Sequence, residues 1–197
     1  MIEQEIKLEL SQQATLALID KLKLLNAERE FCVKQVTTRF DTTGSDLANR
    51  GVFLRTRTGE KNTVTLKRKI TGSAENIKSR EELEITIDDQ NSIDTLNNIF
   101  KILGFDHCLI MEKYRMQWSL LDCEIAIDEL PFGFYVEIEG DGTNIFKVAE
   151  LLQLDGARAL TETYWDLFEN YKNKNGLKIG ENIVFLTGHN PVITKIN

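Results

Sequence analysis

The sequence predicts an α+β fold: eight antiparallel strands forming a closed barrel, with helices packed on its outside. Three observations carry this expectation. Apolar and charged residues alternate in segment after segment, which is the two-residue period of a strand. Some successive segments are joined by links of hairpin length, which makes those neighbours antiparallel. Four other segments carry apolar residues on one helical face. Those stripes need apolar surface to pack on, and the outer faces of the strands supply it, so the charged faces must point inward.

Each element can be justified in chain order. EQEIKLEL (3–10) places Glu3, Glu5, Lys7 and Glu9 on one face and Ile6, Leu8 and Leu10 on the other. Ser11 is a candidate N-cap for a helix over 12–26 that carries Leu16, Ile19, Leu22 and Leu25. VKQVTTRFDT (33–42) alternates less cleanly but holds Arg39 and Asp41 in one parity. VFLRTRTG (52–59) aligns Phe53, Arg55 and Arg57, and NTVTLKRK (62–69) aligns Thr63, Thr65, Lys67 and Lys69; Arg68 has the opposite parity and belongs outside. SREELEITI (79–87) aligns Arg80, Glu82 and Glu84. A helix over 92–103 ends at Gly104 in the C′ position. MEKYRMQW (111–118) aligns Lys113, Arg115 and Gln117, CEIAID (123–128) aligns Glu124, Ala126 and Asp128, and GFYVEIEG (133–140) aligns Tyr135, Glu137 and Glu139. Helices over 143–152 and 158–171 follow, then a mixed tail over 173–197 with a late strand at Ile183–Leu186. The turn glycines Gly59, Gly133 and Gly140 are expected to serve backbone geometry.

Composition bounds the function. A chain of 197 residues that is 42% hydrophobic and 28% charged suits one soluble domain with a real core. It holds no apolar run long enough to span a membrane and no signal-peptide pattern, so a cytoplasmic protein without a membrane partner is expected. Cys32, Cys108 and Cys123 are scattered and odd in number, which fits free thiols and neither a disulfide framework nor a zinc site. His107 and His189 share no motif. HExxH, GxSxG and GxxxxGK[ST] are absent, so Ser-His and Cys-His nucleophiles lack support. A net charge of −7 argues against nucleic acid as partner, without excluding a local basic site.

The inward faces carry both signs. Burying that many charges without partners would cost more than a domain's whole stability, so they must be paired, wetted or held for a ligand. Arginine forks match phosphate oxygens, and lysine adds point charge. Clustered carboxylates beside them suit Mg²⁺ or Mn²⁺, which prefer oxygen ligands. Together the two sets describe a metal-assisted site for a polyphosphate.

The chain resembles the CYTH group of triphosphate tunnel metalloenzymes. Its ExExK motif stands as Glu3, Glu5 and Lys7. RFDTTGSDLANRGVFLRTR, TLKRK, REELE, EKYR and IDELPFGFYVEIEG follow in the family's order over residues 1–140, and ETYWDLF (162–168) resembles the family's C-terminal helix. The resemblance implies a triphosphate tunnel domain over 1–172 followed by an extension over 173–197. It implies that Glu3, Glu5 and Glu139, with Glu137 close by, bind Mg²⁺ or Mn²⁺. Lys7, Arg55, Arg57, Lys67, Lys113 and Arg115 would hold the triphosphate. Glu82 or Glu84 would position a second metal or the nucleophile's partners, and Asp128 would orient a basic residue. Lys69 and Arg39 stand between triphosphate contact and structural pairing. The implied reaction is hydrolysis of tripolyphosphate, ATP or thiamine triphosphate. The alternative is a class IV adenylyl cyclase, which converts ATP to cyclic AMP and pyrophosphate; a non-catalytic polyphosphate-binding module is the third reading. The resemblance leaves a homodimer open.

Overall fold

The computed structural model describes residues 2–69, 78–154, 156 and 158–196, with the side chains of all of these except 2, 3, 69 and 78–80. In chain order the elements are β1 (Ile2–Leu10), α1 (Gln12–Leu24), β2 (Glu28–Asp41), α2 (Asp46–Asn49), β3 (Val52–Thr58), β4 (Asn62–Lys69), β5 (Lys78–Ile87), α3 (Gln90–Ile102), β6 (His107–Leu120), β7 (Cys123–Leu130), β8 (Gly133–Glu139), α4 (Gly142–Leu151) and α5 (Tyr164–Asn175), then a 3-10 turn at Ile193–Lys195. Ser11 caps α1, its hydroxyl accepting from the Ala14 amide at 3.1 Å. Gly104 ends α3 at φ 93°, where a side chain would be strained.

All eight strands are antiparallel, in the order β1-β5-β4-β3-β2-β6-β7-β8 and back to β1. The barrel expected from the sequence is closed, through a short return seam. Among the described residues β1 meets β5 at only four positions, Ile2–Glu5 against Glu81–Lys78. From Glu5 onward β1 pairs instead with β8, Glu5 opposite Glu139 through to Leu10 opposite Phe134. The strands are staggered, as tilted strands in a curled sheet must be, so β1 can serve both neighbours only by dividing its length between them. From Leu83 to Ile87, β5 has β4 alone beside it among the described residues. The architecture is a closed barrel whose return seam is short among the described residues. Leu83 and Ile85, 61% and 60% exposed, sit on that free stretch.

The outward faces are apolar and mostly covered. Leu18, Ile19 and Leu22 of α1 and Ile145, Val148 and Ala149 of α4 pack with Ile6 and Leu8 of β1, Ile125 and Ile127 of β7, and Val136 and Ile138 of β8. Thr56 donates to Asn97 Oδ1 at 2.8 Å, fastening α3 to β3. A second cluster of Met111, Leu130, Tyr135, Tyr164, Trp165, Phe168 and Ile183 joins α5 to the sheet.

The tail is ordered by the edge it covers. β7 pairs with β6 only from Tyr114 onward, leaving the first half of β6 without that neighbour. Ile183 fills the place: its N–H donates to the Ile110 carbonyl at 2.9 Å and its carbonyl accepts from Glu112 N–H at 2.7 Å. This is one parallel bridge, Met111 with Ile183, and not the strand expected over 183–186. Further on, the buried carboxylate of Glu129 accepts from the Val192 and Ile193 amides at 2.7 and 3.0 Å and meets His189 Nε2 at 2.9 Å.

The turn glycines act by close approach and not by positive φ. A Cβ on Gly59 would lie 2.9 Å from Gln35 Cγ, and one on Gly140 would lie 2.8 Å from Cys123 Sγ. All three cysteines are free.

Candidate active site

Strand parity decides what faces inward, and register decides who meets whom. Lys7 lies opposite Glu137 on β8, Arg115 opposite Asp128 on β7, and Lys67 opposite Glu82 on β5. Glu139 lies between Glu5 on β1 and Glu124 on β7. The inner face encloses a cavity of about 500 Å³. Six cationic side chains line it: Lys7, Arg55, Arg57, Lys67, Lys113 and Arg115. Six carboxylates do the same: Glu5, Glu82, Glu84, Glu124, Glu137 and Glu139. The structure therefore brings together all six basic residues singled out from the sequence. Among the carboxylates it brings together Glu5, Glu82, Glu84, Glu137 and Glu139, with Asp128 buried beneath the wall. Glu3 and Lys69 lie outside the described side chains. Arg68 is outside the cavity, exposed and paired with Glu81. Arg39 is not in the cavity wall; it stands 3.7 Å from Asp41 and over the Phe53 and Trp165 rings.

Asp128 is the hub of the cationic side. Its two oxygens accept from Lys113 Nζ at 2.8 Å, Arg115 Nε at 2.7 Å, Arg115 Nη2 at 2.6 Å and Tyr164 Oη at 2.7 Å. Burial alone would raise its pKa, but Arg115 and then Lys113 hold it below the usual aspartate value. Glu137 is held well below a normal glutamate: burial opposes ionisation, and Lys7 at 3.2 Å and Arg115 outweigh it. Lys7 is raised, because Glu137 and Glu5 overcome its desolvation.

Lys113 goes the other way. Its ammonium is pushed down to about 7 by burial first and by neighbouring Arg115 second, which Asp128 and Glu137 do not offset. One carboxylate stands between two cations, and the bidentate fork of Arg115 takes most of its charge. Arg57 is pushed down to about 9 by burial, with Arg55 and Arg115 adding repulsion. Its hydrogen bond is a long one, Nε to Thr37 Oγ1 at 3.4 Å, and among the described residues no carboxylate lies within ion-pairing distance of it.

The acidic side is different in kind. Glu84 accepts from the Thr65 hydroxyl at 2.7 Å, Glu124 from Gln117 at 3.0 Å, and Glu82 pairs with Lys67 at 3.0 Å. No three His, Cys, Asp or Glu side chains among the described residues are already gathered as a metal centre. The donor set nevertheless fits a hard divalent ion: Glu5 and Glu139 are carboxylates on directly paired strands, facing the same cavity. With as many acidic as basic groups among the described residues of its wall, the cavity has no excess of positive charge to attract a polyanion. A divalent cation on the carboxylates would supply it.

Some cavity-lining positions escaped the sequence reading. Thr163, Tyr164 and Trp165 line the cavity from α5. Their apolar neighbours show ordinary helical spacing, so nothing local distinguished them from core. Met111 also lines it, as do Phe53 and Glu124, which alternation had already placed on the inward faces.

Comparisons with known proteins bear on the fold and the family. Among curated proteins no sequence matches the chain. Among solved structures, a conserved hypothetical protein from Pyrococcus furiosus is 24% identical, with a TM-score of 0.67 over 84% of this chain and 99% of the other. A candidate adenylyl cyclase from Hippeastrum, described as having a dominant triphosphatase activity, is 21% identical, with a TM-score of 0.65 over 92% and 100%. A candidate adenylate cyclase from Vibrio parahaemolyticus is 18% identical, with a TM-score of 0.65 over 86% and 98%. At these identities the likeness shows a shared fold. The family model for the CYTH domain matches residues 1–163, and the chain belongs to the CYTH domain family.

Proposed function

We propose that the chain is a divalent-metal-dependent hydrolase that cleaves a triphosphate bound in the cavity. The observation that carries this reading is Arg57: a guanidinium inside a cavity, repelled by two neighbouring arginines and without a described carboxylate partner. Such a group is at lower free energy with an anion beside it. Lys7, Lys113 and Arg115 are held in place by Glu137 and Asp128, so their geometry is set before a ligand arrives. Glu5 and Glu139, with Glu3, would hold Mg²⁺ or Mn²⁺, which offsets charge on phosphate oxygens when bound. Glu84, which accepts from the Thr65 hydroxyl, is suited to orient an attacking water. Asp128 is saturated by four donors and acts by orienting Lys113 and Arg115.

A second reading, adenylyl cyclase, is favoured by one feature. Phe53 and Trp165 face each other at 5.6 Å in the cavity wall, a surface on which a base could stack. The deciding experiment incubates the protein with Mg²⁺ or Mn²⁺ and, separately, tripolyphosphate and ATP, and resolves the products by ion exchange. Phosphate and pyrophosphate from tripolyphosphate support the hydrolase. Cyclic AMP from ATP replaces it with the cyclase, and no turnover of either removes both.

A further inference from the structure

We propose that Tyr164 is a positioning residue of this site: its hydroxyl, donated to Asp128, holds the carboxylate that aims Lys113 and Arg115 into the cavity. The inference rests on the triphosphate reading for its kinetics, but not for its geometry.

Tyr164 is the first residue of α5, and its backbone is held on both sides. Thr163 caps the helix by accepting from the Asp166 amide, and Asp166 accepts from the Thr163 amide at 2.8 Å. This reciprocal box fixes the direction in which the first side chain leaves the helix. The ring is 6% exposed and points at the inner face of the sheet. There it meets three strands at once. The hydroxyl reaches Asp128 on β7 at 2.7 Å. Lys7 of β1 stands 4.4 Å from the ring centroid, and Lys113 of β6 stands 5.3 Å from it. The chain just before α5 holds β1 as well: Leu160 N–H donates to the Lys7 carbonyl at 2.7 Å, and Lys7 Nζ donates to the Glu162 carbonyl at 3.3 Å.

The hydroxyl is the informative part. Filling the gap between α5 and the sheet requires only a ring, and Tyr135, Phe168 and Trp165 already pack around it. Asp128 Oδ2 accepts from Lys113, Arg115 and Tyr164 together. Without the phenol, that oxygen is left to two cations competing for one acceptor. The carboxylate is then free to turn toward either, and the relative placement of Lys113 and Arg115 loosens.

The test is Tyr164→Phe, which keeps the ring, the cation–π contacts and the packing. With Mg²⁺ and tripolyphosphate, kcat should fall about 10-fold to 100-fold, the scale of a small misplacement of reacting groups, while KM stays within about twofold. Adding Tyr164→Phe to Asp128→Asn should cause no further loss of kcat, because both act through one group. Unchanged kcat, a raised KM alone, or losses that multiply in the double variant overturn the proposal. A second readout needs no turnover. In lysine-labelled protein, the side-chain NMR signal of Lys113 should move in Tyr164→Phe. An unmoved signal overturns the positioning role whatever the protein hydrolyses, whereas a moved signal with an inactive wild type leaves positioning standing and removes the triphosphatase reading.

Discussion

Replacing Asp128 by asparagine isolates the effect of one buried charge. The carboxylate is fully buried and accepts four hydrogen bonds, three of them from the cations Lys113 and Arg115. Asparagine keeps the shape and one acceptor oxygen but removes the negative charge. Arg115 retains Glu137 as a partner; Lys113 loses its ion pair with Asp128. Removing one partner of a buried pair costs about 3–5 kcal/mol, mostly because the other charge is left uncompensated. For a chain of this size that corresponds to a melting point about 6–20 °C lower. The sign with pH follows from Asp128. Its pKa is lowered in the folded state, so its contribution is present above the unfolded aspartate value near 3.9 and is lost only as pH falls through the lower folded value. The carboxylate's own contribution should thus persist from pH 8 to pH 5, while the gap between wild type and variant widens below about pH 7, where Lys113 takes up a proton that Asp128 helps it hold. A bound anion can replace the missing charge, so Mg²⁺-tripolyphosphate should raise the variant's melting point more than the wild type's. Differential scanning calorimetry reads both. A drop of less than about 2 °C, or equal stabilisation by ligand, would refute the hub assignment.

Four further outcomes are expected. Lys113, at about 7 and faced by Arg115, Asp128, Glu137 and Arg57, is mostly neutral at pH 8; an anionic ligand that recharges it should draw in up to about 0.9 proton at pH 8 and almost none at pH 5.5, measured by calorimetry in buffers of different ionisation enthalpy. Arg57→Ala should weaken tripolyphosphate binding by about tenfold or more and orthophosphate binding much less; equal effects would place Arg57 outside the anion's reach. Glu5→Gln or Glu139→Gln should abolish metal-dependent turnover with little change in melting point, so near-normal activity in both would remove them as ligands. Arg68→Ala, which breaks an ion pair exposed by 63% and 38%, should change stability by under about 1 kcal/mol in a denaturant titration.

Parity made much of this molecule legible. Lys7, Arg57 and Lys113 announce their direction by the apolar residues on either side of them, so the inner face could be drawn from alternation alone. The limits of α1 and α3 were close for local reasons, since Ser11 and Gly104 are caps that act on their own neighbours, whereas the helix expected from 158 begins only at Tyr164, where Thr163 caps it. What escaped was set by partners distant in sequence. Tyr164 and Trp165 sit in a helix whose spacing resembles any core helix, and only the fold brings their rings to the cavity. The 14-residue spans of β2 and β6 outran the clean alternation within them, because each is held along its whole length by the other over thirteen pairs. The tail was opaque because its order comes from Glu129 and the free edge of β6, neither of which its own sequence reveals. The seam could not be read because stagger is a property of the assembled sheet.

The division of β1 between two neighbours has a consequence for how the protein is made. Glu5 pairs with Glu139, 134 positions later (139 minus 5), and Ile2 pairs with Glu81. At roughly 5–20 residues per second, the ribosome needs about 7–27 s to supply the residue that faces Glu5. For that interval the first strand has no β8 to lie against, and its apolar Ile6 and Leu8 remain uncovered. Contacts of this span close late and slowly. The acidic pair of the cavity therefore comes together only after β8 has been made, and β1 must wait for a partner far behind it in the chain.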